Sequence, residues 1–270
     1  MIGVELRAML RRPRTWVVIL LLNLLPTIVA GLLALTDVGP RPGDGPAFLS
    51  AVTTNGQLFP LAALAIVLPL FLPVAVSVIA GDSVAGEAQA GTLRYLLARP
   101  VGRTKLLVAK LISVAAFVLL AVVIVAAVAY FVGTTLFDTT SLAGVASVSG
   151  TVLTDQQVAV RTVIAVLYVT LSMLGVAAMG LFLSTLTDSP LAATLGALAF
   201  LIASSLLLTL DAADALAPYL PTRYWLAFVD LFRDPVPTRD LVRGVGLQGV
   251  YVVVLLGAAW ANFTTKDITS

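Results

Sequence analysis

The sequence predicts an all-α, polytopic membrane protein that crosses a lipid bilayer six times. Of its 270 residues, 60% are hydrophobic and only 11% are charged, whereas a soluble domain carries about 25% charged residues. Six runs are long and apolar enough to cross roughly 30 Å of hydrocarbon as helices, and none contains Asp, Glu, Lys or Arg. These predicted spans, within one domain of residues 1–270, are 15–36, 58–80, 111–136, 162–186, 191–210 and 244–263.

The first 14 residues predict a short basic helix that lies at the membrane surface. Apolar side chains at Ile2, Leu6, Met9 and Leu10 share one face of such a helix, and Pro13 ends it. The arginines on its other faces favour contact with anionic lipid headgroups.

The connections between spans are predicted to be irregular or very short. Segment 37–57 is rich in Gly and Pro, and segment 137–161 is rich in Thr, Ser and Gly, so both are expected to be loops. The Asp-Ser-Pro sequence at 188–190 predicts a tight turn between the fourth and fifth spans.

The distribution of Lys and Arg predicts that both termini are cytoplasmic, in the cell membrane. With the N-terminus inside, the inner segments hold ten of the 16 basic residues and the outer segments hold six. The acidic residues divide the other way, five inside and nine outside. An excess of Lys and Arg on the cytoplasmic side is the usual bias of membrane proteins.

Several functions are excluded by the residues that the chain lacks. There is no Cys or His, so thiolate nucleophiles, histidine bases and most zinc sites are absent. None of the three lysines follows a glycine, so the chain has no phosphate-binding loop for ATP. No span carries a carboxylate for proton relay or proteolysis. We therefore expect no catalytic, cofactor or metal site in this chain, and the net charge of +2 indicates no nucleic-acid partner.

Segment 81–110 predicts a short helix that faces the cytoplasm between the second and third spans. Ser83 can cap it, Glu87 falls in its first turns, and Pro100 stops it. Between them, leucines at 93, 96 and 97 form an apolar stripe at helical spacing. From these residues alone, an ordinary interfacial helix and a docking helix are equally good interpretations.

The same segment resembles the inner-loop signature of type-two ABC transporter permeases. The resemblance is carried by Gly86-Glu87, Gly91-Thr92-Leu93, Leu96-Leu97, Pro100 and Arg103. A second, less specific similarity runs from Pro218-Tyr219-Leu220-Pro221 through Tyr224-Trp225 and Asp234-Pro235 to residues 263–268. Gln89 departs from the pattern, because a basic residue often follows the Gly-Glu pair there.

The resemblance implies a transport subunit that is not itself an enzyme. A separate cytosolic ATPase, expected in two copies, would bind ATP and Mg, and a second permease subunit would be a copy of this chain. Segment 81–110 would then be the coupling helix, and the transporter would export its cargo. The residues implied to couple to the ATPase are Glu87, Gly91, Thr92, Leu93, Arg94, Leu96, Leu97, Pro100 and Arg103.

Separate roles are expected within that set. Burial of each of the three leucines would contribute about 1.5–3 kcal/mol of binding free energy if the side chain were fully covered. Arg94 and Arg103 would add weaker rim pairs, and Gly91 would let two backbones approach. Glu87 would either pair with Arg11 or Arg12 or only cap the helix.

Segment 211–243 concentrates aromatic residues, and positions 225, 228, 229 and 232 share one helical face. One interpretation is an interfacial aromatic belt. The other, implied by the resemblance, is a pair of short re-entrant helices that gate the exit. The proposed gate residues are Tyr219, Tyr224, Trp225 and Phe228.

The candidate pathway residues are the polar or helix-breaking residues inside spans. The three prolines of the second span predict a kink that serves as a hinge or is merely tolerated. The resemblance implies that the second and fifth spans line a cavity at a dimer interface, and a cavity without fixed charge favours an amphipathic or apolar cargo. The candidates are Asn23, Pro26, Pro60, Pro69, Pro73, Ser77, Thr194, Ser204, Ser205 and Thr209.

Two other function classes remain compatible with the sequence. A passive channel or uncoupled carrier would work without any ATPase. A structural or immunity-type membrane protein would bind a peptide or anchor an enzyme without turnover.

Overall fold

The structure is a computed structural model that describes residues 2–36, 52, 55–92, 102–137, 145–146 and 152–265. Within these residues, six helices are long and apolar enough to cross a membrane, so the predicted all-α class with six spans is confirmed. The α-helices are α1 (Ile2–Arg11), α2 (Pro13–Thr36), α3 (Phe59–Val67), α4 (Phe71–Gln89), α5 (Arg103–Leu136), α6 (Asp155–Leu186), α7 (Pro190–Leu207) and α8 (Arg239–Thr265). Short 3₁₀ helices are Gly56–Leu58, Asp211–Ala213, Ala217–Tyr219 and Trp225–Phe232.

The second predicted span is broken rather than kinked. Helix α3 ends at Val67 and α4 begins at Phe71, with a turn between them. Leu70 has φ −136° and ψ −58°, outside the helical region. Pro69 and Pro73 lie four residues apart, and proline has no N–H to donate to the carbonyl four residues earlier. The break therefore follows directly from the spacing of the two prolines.

Several helices run beyond the apolar stretches that predict them. Helix α4 continues through Asp82 to Gln89, so Ser83 lies inside a helix and donates to the carbonyl of Ala80 at 2.6 Å. The prediction that Ser83 caps a separate helix is wrong, because the apolar stretch ends near residue 80 whereas the helix continues to Gln89. Helix α8 likewise begins at Arg239, before the apolar run.

The N-terminal helix ends where proline predicts, since α1 stops at Arg11 and Pro13 opens α2. Its apolar residues do not all face the protein. Met9 is buried, whereas Ile2 and Leu10 are exposed. The hydroxyl of Thr15 donates to the Met9 carbonyl at 2.8 Å, which fastens the corner between the two helices.

The connections that the structure describes are compact. Residues Val145–Ala146 and Val152–Leu153 form a two-residue antiparallel pair within the stretch predicted as loop. The tight turn between α6 and α7 is present, and the Ser189 side chain accepts from the Ala192 amide at 3.3 Å, as an N-cap does.

Helix α4 lies at the centre of the packing. It packs mainly against α6 and α7. Helix α3 packs mainly against α5, and α8 packs against α6. Glycine permits the close contacts: a Cβ added to Gly180 of α6 would lie 2.7 Å from the Cβ of Ala80. Small residues at helix crossings are how membrane helices approach closely.

A serine from α6 is inserted into the backbone ladder of α4. The Ser184 hydroxyl donates to the Gly81 carbonyl at 2.7 Å. It also accepts from the amides of Val84 at 3.0 Å and Ala85 at 2.8 Å. One buried side chain thus satisfies three backbone groups of a neighbouring helix, which fixes the register of α4 on α6.

Candidate functional site

The end of α4 leads into the predicted coupling segment. Gly91 adopts a left-handed conformation with φ 68°, which ends helices and favours glycine. The Thr92 amide donates to the Glu87 carbonyl at 3.0 Å, and the Thr92 hydroxyl reaches the same carbonyl at 3.2 Å. Within the described chain, no atom lies within 4 Å of a Cβ built on Gly91. The positive φ is by itself a conformational reason for glycine at this position.

Five residues of the predicted coupling set lie outside the described residues. The structure continues again from Gly102, and α5 opens at Arg103. The undescribed members of the set are Leu93, Arg94, Leu96, Leu97 and Pro100.

Six charged side chains gather where α1, α4 and α5 meet. Lys110, only 4% exposed, pairs with Glu87 and, at 3.1 Å, with Glu5. Both acceptors are themselves largely covered. The partner of Glu87 is therefore Lys110 rather than Arg11 or Arg12, and Glu87 lies in the last turns of α4 rather than capping a helix. The α1-end charge cluster consists of Glu5, Arg12, Arg14, Asp82, Glu87 and Lys110.

The second part of this cluster joins the start of α2 to α4. Asp82 accepts from Arg14 at 2.5 Å and faces Arg12 at 3.5 Å. Both arginine side chains are about half exposed, so solvent screens these pairs more than those of Lys110. The arginines before the first span, which set the predicted orientation, thus also bind the second span.

Arg103 fastens the other side of the predicted coupling segment. Its guanidinium donates to the carbonyl of Phe263 at 3.3 Å and to that of Thr264 at 2.9 Å. One residue further on, the Thr104 hydroxyl contacts the Trp260 indole nitrogen at 3.0 Å. The first turn of α5 is therefore held on the C-terminal end of α8. The last carbonyls of a helix have no N–H partner within that helix and are free to accept from other groups.

Segment 211–238, between α7 and α8, is folded onto the bundle. Tyr224, Trp225 and Phe228 are buried, and Tyr219 is 69% exposed. Tyr224, Trp225 and Phe228 therefore do not form an exposed aromatic belt. The Trp225–Phe232 helix is 3₁₀ rather than α. The predicted face is buried at Trp225, Phe228 and Phe232, Val229 is partly buried, and Leu231 is buried as well.

Side chains from the spans hold this segment through its backbone. The Tyr168 hydroxyl donates to the Tyr224 carbonyl at 2.7 Å, and the Gln248 amide donates to the Pro221 carbonyl at 2.7 Å. Tyr251 reaches the carbonyl of Tyr219 at 2.9 Å. Irregular backbone at membrane depth needs such internal partners, so these side chains allow the segment to sit against the spans.

The predicted pathway residues lie at several places in the bundle. Asn23 bonds to a carbonyl of its own helix, and Thr209, just beyond the end of α7, bonds to the Leu206 carbonyl. Thr194 bonds to the Pro190 carbonyl at 2.9 Å and to the Ser77 carbonyl of α4 at 3.4 Å, so the structure brings Thr194 and Ser77 together. Pro26, Pro60 and Pro73 are buried, and the hydroxyl of Ser77 is buried without a hydrogen-bond partner in the described chain. Ser204 shares a hydrogen bond of 2.8 Å with Thr222. Only Pro69 and Ser205 line the same small cavity.

A large groove lies between α5 and α6 and reaches the start of α3. Its volume is about 840 Å³, and its walls are mostly apolar. Of the predicted pathway residues only Pro60 lines it. Sequence reasoning gave no other residue of this groove, because its walls are ordinary aliphatic positions of two spans.

The described residues bring no three His, Cys, Asp or Glu side chains together in a way that would hold a metal ion. Comparison with curated proteins gives no match to the chain. The sequence model of the family DUF2705, described as a protein of unknown function, matches residues 44–269. Since this match covers well over half of the 270 residues, the chain belongs to the DUF2705 family.

Proposed function

We propose that this chain is the membrane-spanning permease subunit of an ATP-driven ABC transporter that exports an amphipathic or apolar compound. It works as a pair of identical permease subunits with two copies of a separate cytosolic ATPase. The permease lies in the plasma membrane, and both of its termini face the cytoplasm. The observation that carries the proposal is the connection between α4 and α5, whose two flanks are bound to other helices.

On the α4 side, the flank is fixed by charge. Glu87 lies one turn before Gly91 and pairs with buried Lys110 of α5, which also holds Glu5 of α1. On the α5 side, Arg103 binds the terminal carbonyls of α8. A force applied to either flank would therefore be passed to α1, α5 and α8, which is what a force-transmitting connection requires.

The spans themselves supply no source of energy for pumping. The charged side chains of the long helices that the structure describes lie toward helix ends or in the α1-end charge cluster. A relay of titratable groups across the bilayer normally marks ion-driven carriers. Coupling to a nucleotide-hydrolysing partner is the arrangement that suits a bundle of this kind.

The first test is purification of the tagged chain from native membranes, followed by identification of the proteins that accompany it. We expect an ATPase with a phosphate-binding loop. The double substitution Leu96→Asp and Leu97→Asp should release that ATPase while the permease still inserts. Each leucine contributes about 1.5–3 kcal/mol when buried, so the loss of affinity should be about 100-fold or more.

A matched control places the same charges at the other end of the bundle. Leu210 and Leu216 are both exposed, and Leu210→Asp with Leu216→Asp should leave the ATPase bound. Wild-type retention of the ATPase by the 96/97 variant would contradict the docking role. Purified complex in vesicles that shows no cargo-stimulated hydrolysis and no cargo movement would contradict transport.

A further inference from the structure

A small cavity lies where segment 211–238 meets the break in the second span. Its volume is about 120 Å³, close to the roughly 150 Å³ of a cavity that binds benzene. Its wall combines leucines with a proline, two hydroxyl residues and an indole. The lining residues are Leu68, Pro69, Ser205, Leu208, Thr222, Trp225 and Leu226.

The break beside this cavity leaves backbone groups without their helical partners. Because Pro69 and Pro73 have no N–H, the carbonyls of Ala65 and Pro69 lose the donor that a continuous helix supplies. Helix α3 has nine residues, so the break lies about 13 Å along the span. At that depth, exposed irregular backbone is tolerated only against protein or a water-filled cavity.

The residues that the structure describes leave the surface around the break uncovered. Pro69 is exposed, and the side chains of Leu70 and Phe71 are 54% and 42% exposed. Ser205, on α7, is exposed as well. The break therefore belongs to a surface that meets a polar ligand, water or another protein rather than lipid alone.

Trp225 adds a hydrogen-bond donor that lacks a partner. The residue is 4% exposed, and its indole nitrogen is buried with no hydrogen-bond partner in the described chain. Buried polar groups are almost always paired, and leaving one unpaired costs about 1–3 kcal/mol. A ligand acceptor in the adjoining cavity would relieve that cost.

We propose that this cavity is a subsite for the neutral, hydrogen-bonding group of the cargo, such as a hydroxyl, ester or amide. Ser205 and Thr222 provide hydroxyls that can donate and accept, although the Thr222 hydroxyl also shares a hydrogen bond with Ser204. Trp225 provides a donor, and Pro69 places the break at the cavity wall. No charged side chain lines the cavity, so an ionic group would be buried there without a counterion. The leucine side chains of the cavity would contact the apolar part of the cargo next to that group. This inference rests on the proposed function, since it names the chemistry of the transported molecule.

The test uses the fluorescence of Trp225 in the purified full chain without any ATPase. The chain has three tryptophans, and Trp16 and Trp260 are half exposed, so Trp16→Phe with Trp260→Phe leaves Trp225 as the only reporter. Cyclohexanol and methylcyclohexane, which match in size, are titrated into nanodiscs. We expect a saturable change in Trp225 emission with the alcohol and only a weak, non-saturable change with the hydrocarbon.

Substitutions at Ser205 separate the subsite from general effects of alcohol on the bilayer. Ser205→Ala should raise the half-saturating concentration about two- to tenfold, as expected for one lost hydrogen bond. Ser205→Leu should fill the cavity and abolish saturation. Ala203→Leu adds the same side chain at an exposed position of the same helix that does not line the cavity, and should have no effect.

Two results would overturn the subsite: equal, non-saturable responses to both probes, or saturation unchanged by Ser205→Leu. The first result is also what a cavity filled only with water would give. Because the titration contains no ATPase, it does not depend on the partner. Saturable binding by a chain that recruits no ATPase would contradict the proposed function alone, and recruitment without saturable binding would contradict the subsite alone.

Discussion

The two ends of the bundle are held together by different chemistry. At the α1 end, three helices meet at a charge cluster whose centre, Lys110, is buried. At the other end, segment 211–238 is held mainly by neutral donors on its backbone carbonyls, from Tyr168, Gln248 and Tyr251. An ion pair at this end, between Asp230 and Arg233, joins residues three apart in the chain, and its arginine side chain is half exposed. One end thus depends on a few strong, interdependent contacts, and the other on several weaker, separable ones.

The largest effect should come from removing the centre of the charge cluster. Lys110→Met leaves Glu5 and Glu87 close together without their cation, and breaking a buried pair in this way costs about 3–5 kcal/mol. The free energy of unfolding, measured by SDS titration in mixed micelles, should fall by that amount. Adding Glu5→Gln and Glu87→Gln should recover most of it. A triple variant as unstable as Lys110→Met would show that charge does not hold this end.

An intermediate effect is expected from a glycine at the other end. A Cβ added to Gly244 would overlap the hydroxyl of Tyr168 and lie 3.0 Å from the Cβ of Tyr224. Gly244→Ala should therefore cost about 1–3 kcal/mol, as overpacking does, in the same SDS titration. Tyr168→Phe alone should cost about 1 kcal/mol through its lost hydrogen bond.

The double variant of Gly244→Ala and Tyr168→Phe tests whether the two residues act through one contact. Its loss should be smaller than the sum of the single losses, because the hydroxyl that the new methyl group meets is gone. If the two single losses of stability add exactly in the double variant, Gly244 of α8 and Tyr168 do not act through a shared contact with segment 211–238.

The smallest effect should come from the exposed part of the charge cluster. Asp82→Asn removes the partner of Arg12 and Arg14, whose side chains are 49% and 40% exposed. Such pairs contribute about 0.2–1 kcal/mol, and salt screens them. The difference in thermal unfolding between wild type and variant should therefore shrink at high salt. A loss as large as that of Lys110→Met, or one insensitive to salt, would contradict this division of the cluster.

The fold was largely predictable because membrane spans depend on apolar length, which is a local property of the sequence. All six spans are present, and the turn at 188–190 forms as expected. What length cannot indicate is where a helix stops. The break at Leu70 could have been predicted from Pro69 and Pro73, whose four-residue spacing removes two helical hydrogen bonds. The extension of α4 to Gln89 could have been predicted by taking Gly91, rather than the end of the apolar run, as the signal that stops the helix.

The site was less predictable because its contacts join residues far apart in the chain. Lys110 follows Glu87 by 23 residues and Glu5 by 105. One signal was available: Lys110 directly precedes an apolar run, where a cation needs a partner. The aromatics of segment 211–238 were located correctly as a cluster. Their predicted face is buried at Trp225, Phe228 and Phe232, but the helix is 3₁₀, and composition does not distinguish its period of three from 3.6.

The break in the second span also separates the two halves of that span mechanically. Helix α3 packs mainly on α5, whereas α4 is bonded to α6 through Ser184 and packs on α7. At its Gln89 end, α4 is also joined to α5 by the Glu87–Lys110 pair. A displacement of that end would consequently be passed directly to α5, α6 and α7, and it would reach α3 only through α5, because no continuous helix joins the two halves.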